Sequence, residues 1–220
     1  MRQCGYHVPR AAAPGLTPQK KSLHASERDT PRIQQARQDY GQKLTAFDLR
    51  RLKFVDESSV NLAMTRRYGR APAGERVIGS APQNYGPNVT MLGALGLHGL
   101  HAVMTVDSAT DADVFRTYIR QVLGPTLTPG DIVVMDNLRA HKAIGVQQAL
   151  ARRGARLLYL PPYSPDLAPI EPCWSKVKTA LRTAKARTRG ALDIAIAAAM
   201  GTVSVADACG WFTHCGYPLQ

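Results

Sequence analysis

Apolar residues along this chain come in short blocks of two kinds, and their alternation predicts sheet and helix by turns. The runs at 52–55, 89–97, 100–106, 132–135 and 156–160 are short, strongly apolar and bounded by turn residues, so they read as buried strands. Residues 76–79 give a sixth candidate strand. Elsewhere the period lengthens. Val114, Tyr118 and Val122 recur at helical spacing behind Asp111 and Asp113, which suit the positive end of a helix; Pro125 and Gly130 stop it. Ala143, Val146 and Leu150 make the inner face of a helix from about Ala140, with Gly154 as its terminator. Trp174, Val177 and Leu181 form an inner stripe after a proline-rich loop, and 191–200 and 205–212 read as two small closing helices. A short helix is predicted around 30–40. Strands first, then strand–helix–strand–helix, is an α/β pattern built on a mixed sheet flanked by helices.

Two stretches need separate treatment. Residues 88–106 carry no full charge, as a membrane span would, but they contain Gly93, Gly96, Gly99, His98 and His101. Two strands with a turn near 97–99 explain them better than a helix in lipid, and no membrane partner is expected. Residues 1–45 hold Pro9, Pro14, Pro18 and Pro31 without long apolar periodicity, and read as a basic arm with no core of its own. The expected organisation is this arm, a catalytic unit over 46–188, and closing helices over 189–220.

Charge narrows the partner. The 220 residues carry 28 Lys and Arg against 16 Asp and Glu, a net charge of +12, which favours a polyanion. The four cysteines form no CxxC pair and the start has no signal-peptide pattern, so a reducing cytoplasm is the expected setting.

Against this basic background three acidic residues stand at element ends. Asp56 closes the apolar run at 52–55, Asp136 follows Ile132-Val-Val-Met135, and Glu171 opens the helix after the proline-rich loop. Hard divalent ions take oxygen ligands, and a pair of them can activate a nucleophile and stabilise the leaving oxygen of a phosphodiester. Each residue also has a plainer reading. Asp56 could be a turn former, Glu171 an ordinary first-turn glutamate, and Asp166 suits its Ser-Pro-Asp turn. Asn137 projects beside Asp136. His141 either touches phosphate or caps its helix. The acid-free run with Lys176, Lys178 and Arg182 is either a solvated face or a ridge that follows phosphates. Cys209, His214 and Cys215 lack a fourth ligand for zinc.

The motifs resemble the catalytic domain of bacterial insertion-sequence transposases of the mariner superfamily. The matching pieces are Phe54-Val-Asp56-Glu-Ser, Arg67-Tyr-Gly-Arg-Ala-Pro-Ala-Gly-Glu-Arg76, Val134-Met-Asp136-Asn137 with His141, and Leu160-Pro-Pro-Tyr-Ser-Pro-Asp-Leu-Ala-Pro-Ile-Glu171-Pro-Cys-Trp174. The stretch Lys20-Lys-Ser-Leu-His-Ala-Ser-Glu-Arg-Asp29 is similar to the segment before that domain. The resemblance implies an RNase H-like fold and a DDE triad of Asp56, Asp136 and Glu171 holding two Mg²⁺ ions, with Mn²⁺ as substitute; 34 residues separate the last two carboxylates. It also implies double-stranded DNA as partner and a homodimer on that DNA. From the charge pattern, Lys20, Lys21, Lys176, Lys178 and Arg182 are the expected DNA contacts. Water would cut a strand at the element end, and the freed 3′-hydroxyl would attack target DNA. Ala168 stands where many relatives have Asn, and no helix-turn-helix is readable in the arm. Two other readings are an RNase H-like nuclease outside transposition and a non-catalytic DNA-binding remnant.

Overall fold

The computed structural model describes residues 23–218, so Lys20 and Lys21 lie outside the described residues. Five strands form one mixed sheet: β1 (Leu52–Val60), β2 (Val89–Gly96), β3 (Gly99–Val106), β4 (Ile132–Met135) and β5 (Arg156–Tyr159), in the spatial order β3-β2-β1-β4-β5. The β1-β2-β3 portion is antiparallel, whereas β4 and β5 run parallel to β1. The uncharged 88–106 stretch is therefore the β2–β3 hairpin, turned by Gly99 at φ 106°. Among the described residues no single helix is long and apolar enough to cross a membrane.

Strand alternation sorts side chains into two layers. One face carries Phe54, Met91 and Val134, and is covered by α1 (Pro31–Leu44), α4 (Ile170–Ala184), α5 (Arg189–Gly201) and α6 (Val205–His214) through Tyr40, Trp174, Val177, Ile196 and Phe212. The other carries Val55, Leu92, Val133 and Met135, and packs on α2 (Ala112–Thr117) and α3 (Val146–Ala151) through Phe115 and Leu150. The α2 helix is capped by Asp111, whose carboxylate accepts from the amides of Asp113 and Val114, and it runs on in wider turns through Leu123.

Three details differ from what the sequence predicts. First, β1 continues to Val60, so Asp56 lies mid-strand and not at its end. Glu57-Ser-Ser59 looks like a polar terminus, yet it pairs with the uncharged residues 90–92 of β2 and alternates between layers. Second, residues 76–79 form no strand; Val77 and Ile78 are exposed within an irregular excursion over residues 61–88. Third, the helix expected from Ala140 starts only at Val146, because Gly145 at φ 91° turns the chain into it. Residues 138–145 are a series of turns instead.

The helix within the basic stretch is tied into the core. Thr30 precedes α1 with Pro31 as first helical residue, and the helix buries Ile33 and Tyr40. Tyr40 and Tyr217 share a hydrogen bond of 2.9 Å, and the Tyr217 hydroxyl donates to Leu167 O at 2.7 Å. Arg37 makes a forked contact with Asp166 at 3.1 and 2.8 Å and donates to Ser164 Oγ at 2.7 Å. Both ends of the described chain thus hold the proline-rich loop from behind.

Removing the Tyr217 hydroxyl should leave the buried Tyr40 hydroxyl without its partner. Tyr217→Phe is expected to lower stability by about 1–3 kcal/mol, measured by urea unfolding. An unchanged midpoint would show that this link carries no weight.

Candidate active site

The pairing of β1 with β4 sets the geometry. Leu52, Lys53 and Phe54 lie opposite Ile132, Val133 and Val134, so continuing the register by two residues brings Asp56 beside Asp136 on the same face. Glu171 comes from the facing layer, in the first turn of α4, which is anchored by buried Ile170, Cys173 and Trp174. All three carboxylates line one cavity of about 430 Å³, together with Arg32, Asn137, Leu138, Tyr163 and the proline-rich loop.

The depth of α4 is set by Gly93, the β2 partner of Asp56. A Cβ there would stand 3.0 Å from Trp174 Cη2 and 3.1 Å from Leu100 Cδ1, so only glycine lets the helix seat this close. The loop that delivers Glu171 is equally constrained. Tyr163 occupies the left-handed region at φ 55°, and Ser164 Oγ donates to Pro162 O at 3.1 Å while accepting from Arg37. Asn137 Nδ2 donates to Leu160 O at 2.7 Å, joining the end of β4 to the start of that loop.

The electrostatics are those of crowded acids. Burial pushes the Asp56 carboxyl up to about 7, and the neighbouring carboxylates of Glu171, Glu57 and Asp136 add to the rise, against a backbone hydrogen bond involving Glu57. Asp136 behaves oppositely. Burial alone would raise it, but His141, the Leu138 amide at 2.9 Å and Lys142 together hold it below the usual carboxylate value.

His141 neither caps a helix nor faces solvent. Its side chain is 0% exposed, with Nε2 2.9 Å from Glu57 Oε2 and Nδ1 2.6 Å from Asp136 Oδ1. The second approach lies off hydrogen-bonding geometry and acts as an ion-pair contact. Burial would discharge the ring, but the Asp136 and Glu57 carboxylates outweigh it and hold the imidazolium up to about 9.

Among the described residues no three His, Cys, Asp or Glu side chains already stand close enough together to hold a metal ion. Carboxylates spread around an open cavity suit Mg²⁺, which keeps waters and is held by one or two carboxylates plus substrate phosphate. Asp56 supplies the fit: burial first, and the neighbouring carboxylates second, disfavour its charge, and a divalent cation would offset both.

The basic candidates separate. Lys176 Nζ is committed to Asp207 Oδ2 at 2.5 Å and Thr202 O at 2.9 Å, where it braces α4 against α6, contrary to the expectation of a free phosphate contact. Lys178 and Arg182 have no ion pair among the described residues and line a groove with Ser59, Asn61 and Arg67. Burial lowers the Lys178 ammonium, followed by the nearby charge of Arg182. Asp166, read as a turn residue, anchors Arg37 and Arg28. Sequence reasoning missed Glu57, Arg32 and Tyr163. The signal that could have found Glu57 is its place next to Asp56 in a strand, which sends it to the opposite face.

These shifts fix a pH dependence. Asp56 and His141 both bind protons more tightly folded than unfolded, so each contribution is complete below the unfolded value and is lost as pH rises. Metal-free protein should lose melting temperature from about pH 4 to about pH 9, through Asp56 first and His141 second. Added Mg²⁺ should raise the melting temperature more at pH 8 than at pH 5. A metal effect independent of pH would show that Asp56 is not involved.

The fold is shared with solved transposase structures. The Mos1 transposase paired-end complex with left transposon end superposes with a TM-score of 0.72 at 15% identity, covering 93% of this chain and 64% of that one. The mariner Mos1 paired end complex with Mg gives 0.66 at 16%, covering 91% and 65%. The catalytic domain of Mos1 mariner transposase gives 0.58 at 13%, covering 88% and 91%. This chain therefore spans just under two thirds of the longer Mos1 chains and has the fold of the Mos1 catalytic domain, an RNase H-like sheet. No curated protein matches it in sequence. The DDE superfamily endonuclease family matches residues 51–193, a stretch that takes in β1, the proline-rich loop and all three carboxylates, and the chain belongs to that family.

Proposed function

We propose that this chain is the catalytic domain of a mariner-type DDE transposase, which cuts DNA at the ends of a mobile element and joins the freed end to a target. The observation that carries this reading is the convergence of Asp56, Asp136 and Glu171, from two adjacent strands and a facing helix, on one cavity. Family membership and the fold shared with Mos1 complexes of transposon-end DNA support it.

Asp56, Asp136 and Glu171 would hold Mg²⁺ or Mn²⁺, which supply charge stabilisation and activation of the attacking oxygen when bound. The protein's own contribution is positional. The β1–β4 register and the seated α4 fix the carboxylates, while Pro161, Pro162 and Tyr163 wall one side of the cavity. Lys178 and Arg182 line the neighbouring groove, where they would pair with the phosphates of the DNA entering the site. In the first reaction water adds to a phosphodiester and releases a 3′-hydroxyl. In the second that hydroxyl displaces a 3′-oxygen of target DNA, so one phosphodiester forms as another breaks. Two copies of the chain would act on two paired DNA ends.

Purified protein should nick supercoiled plasmid with Mg²⁺ or Mn²⁺ and not with EDTA. Asp136→Asn should abolish nicking and leave nonspecific DNA binding nearly unchanged. Binding without nicking by the unaltered chain would overturn the catalytic reading in favour of a DNA-binding role.

Lys178→Ala and Arg182→Ala should each weaken DNA binding and reduce the slope of log K against log salt by about 1 for each phosphate no longer neutralised. Lys176→Ala should instead lower stability without changing that slope. Filter binding at salt concentrations from about 50 to about 200 mM separates these outcomes, and an unchanged slope for Lys178→Ala would remove it from the DNA path.

A further inference from the structure

Behind the sheet face that carries Asp56 and Asp136, another carboxylate is joined to Asp136 through a buried ring. Asp56 and Glu57 are consecutive in β1, so their side chains leave opposite faces of the sheet. Asp56 shares the face of Phe54. Glu57 shares that of Val55, in the layer covered by Phe115. There His141 Nε2 donates to Glu57 Oε2 at 2.9 Å. The far side of the same ring reaches the C-terminal end of β4, placing Nδ1 2.6 Å from Asp136 Oδ1. Phe115 lies against the ring with centroids 4.3 Å apart. Oδ1 of Asp136 also accepts from the Leu138 amide at 2.9 Å.

We propose that Glu57 is a positioning residue for Asp136: through His141 it locks Oδ1 in place and leaves Oδ2 as the single oxygen presented to a divalent cation. The inference rests on the metal-dependent reading above. Asp136 projects beyond the end of β4, and its side chain is 46% exposed. Solvent contact and one amide bond would leave that carboxylate free to rotate about its terminal torsion, which is broad and nearly two-fold. A ring held at its far nitrogen cannot swing away, so it fixes which oxygen faces the cavity. Mg²⁺ demands near-octahedral geometry, and one oriented oxygen meets that demand better than a rotating pair. Partners behind a ligand commonly set its orientation in this way. Glu57 has the position to do this because strand alternation excludes it from the cavity, whose lining includes Asp56 but not Glu57.

The test is Mn²⁺ binding by the full chain without DNA, followed by electron paramagnetic resonance, for the wild type, Glu57→Ala, His141→Ala, the double variant and Asp136→Asn. Glu57→Ala and His141→Ala are each expected to weaken Mn²⁺ binding by about 10- to 100-fold. The double variant should be no weaker than the worse single one, because Glu57 acts through His141. DNA binding in EDTA should be unchanged in all of them. Effects that multiply in the double variant, or a Glu57→Ala affinity equal to wild type, would overturn the proposal while leaving the metal centre intact. If the wild type and Asp136→Asn bind Mn²⁺ equally, the metal-dependent reading itself falls and takes this inference with it. Should Glu57→Ala fail to fold, Glu57→Gln, which keeps the shape and loses the charge, is expected to weaken Mn²⁺ binding in the same direction; wild-type affinity there would overturn the proposal.

Discussion

Phe54 pairs with Val134, and that register obliges Asp56 and Asp136 to stand side by side on one face of the sheet, with Glu171 brought to the same cavity from α4. Gathering carboxylates at a partly buried site opposes folding, because each disfavours the charge of the others. The protein accommodates the repulsion unevenly. Asp56, the most enclosed, keeps its proton up to about pH 7, while Asp136 is ionised against a buried imidazolium. Two carboxylates of the same kind thus acquire different characters from their neighbours alone. A site prepared in this way is poised for a cation, since binding would remove the strain that its own acids create.

Such crowding requires a stiff frame. Trp174 rests on Gly93 directly across from Asp56, so the wedge that fixes the height of α4 lies next to the residue it serves. At the other end of the approach, Tyr163 is held in a left-handed conformation between Pro162 and the Arg37-bound Ser164. A strained residue of this kind persists only where its surroundings over-determine it. The groups that do so come from α1, from the loop itself and from Tyr217, near the C-terminal end of the described chain.

Much of this architecture is legible in the sequence. Four-residue apolar runs such as Ile132–Met135 and the stripe of Trp174, Val177 and Leu181 announce their elements, because burial on one face imposes a period. The carboxylates stand out because a basic chain puts acids beside apolar runs for few reasons. What stays hidden depends on three-dimensional pairing. The extent of β1 past Asp56 is masked by Glu57-Ser-Ser59, whose burial depends on β2. His141 turns inward from the series of turns before α3, which starts only after Gly145, and a periodic count over Ala143, Val146 and Leu150 cannot register that delay. Lys176 looks free within a basic run because its partner Asp207 is 31 residues away.

The stretch of chain that bears the chemistry is narrower than the stretch that folds it. Residues 51–193 carry the family match and every carboxylate of the cavity. Yet Ile33 and Tyr40 before that stretch, and Ala208, Phe212 and Tyr217 after it, are buried, and four of the five belong to the core beneath the cavity. Trimming the protein to its recognisable portion would strip the hydrophobic cover from α4 and release the Arg37 and Tyr217 ties together. Segments outside the family match are therefore indispensable as packing, whatever chemistry they lack.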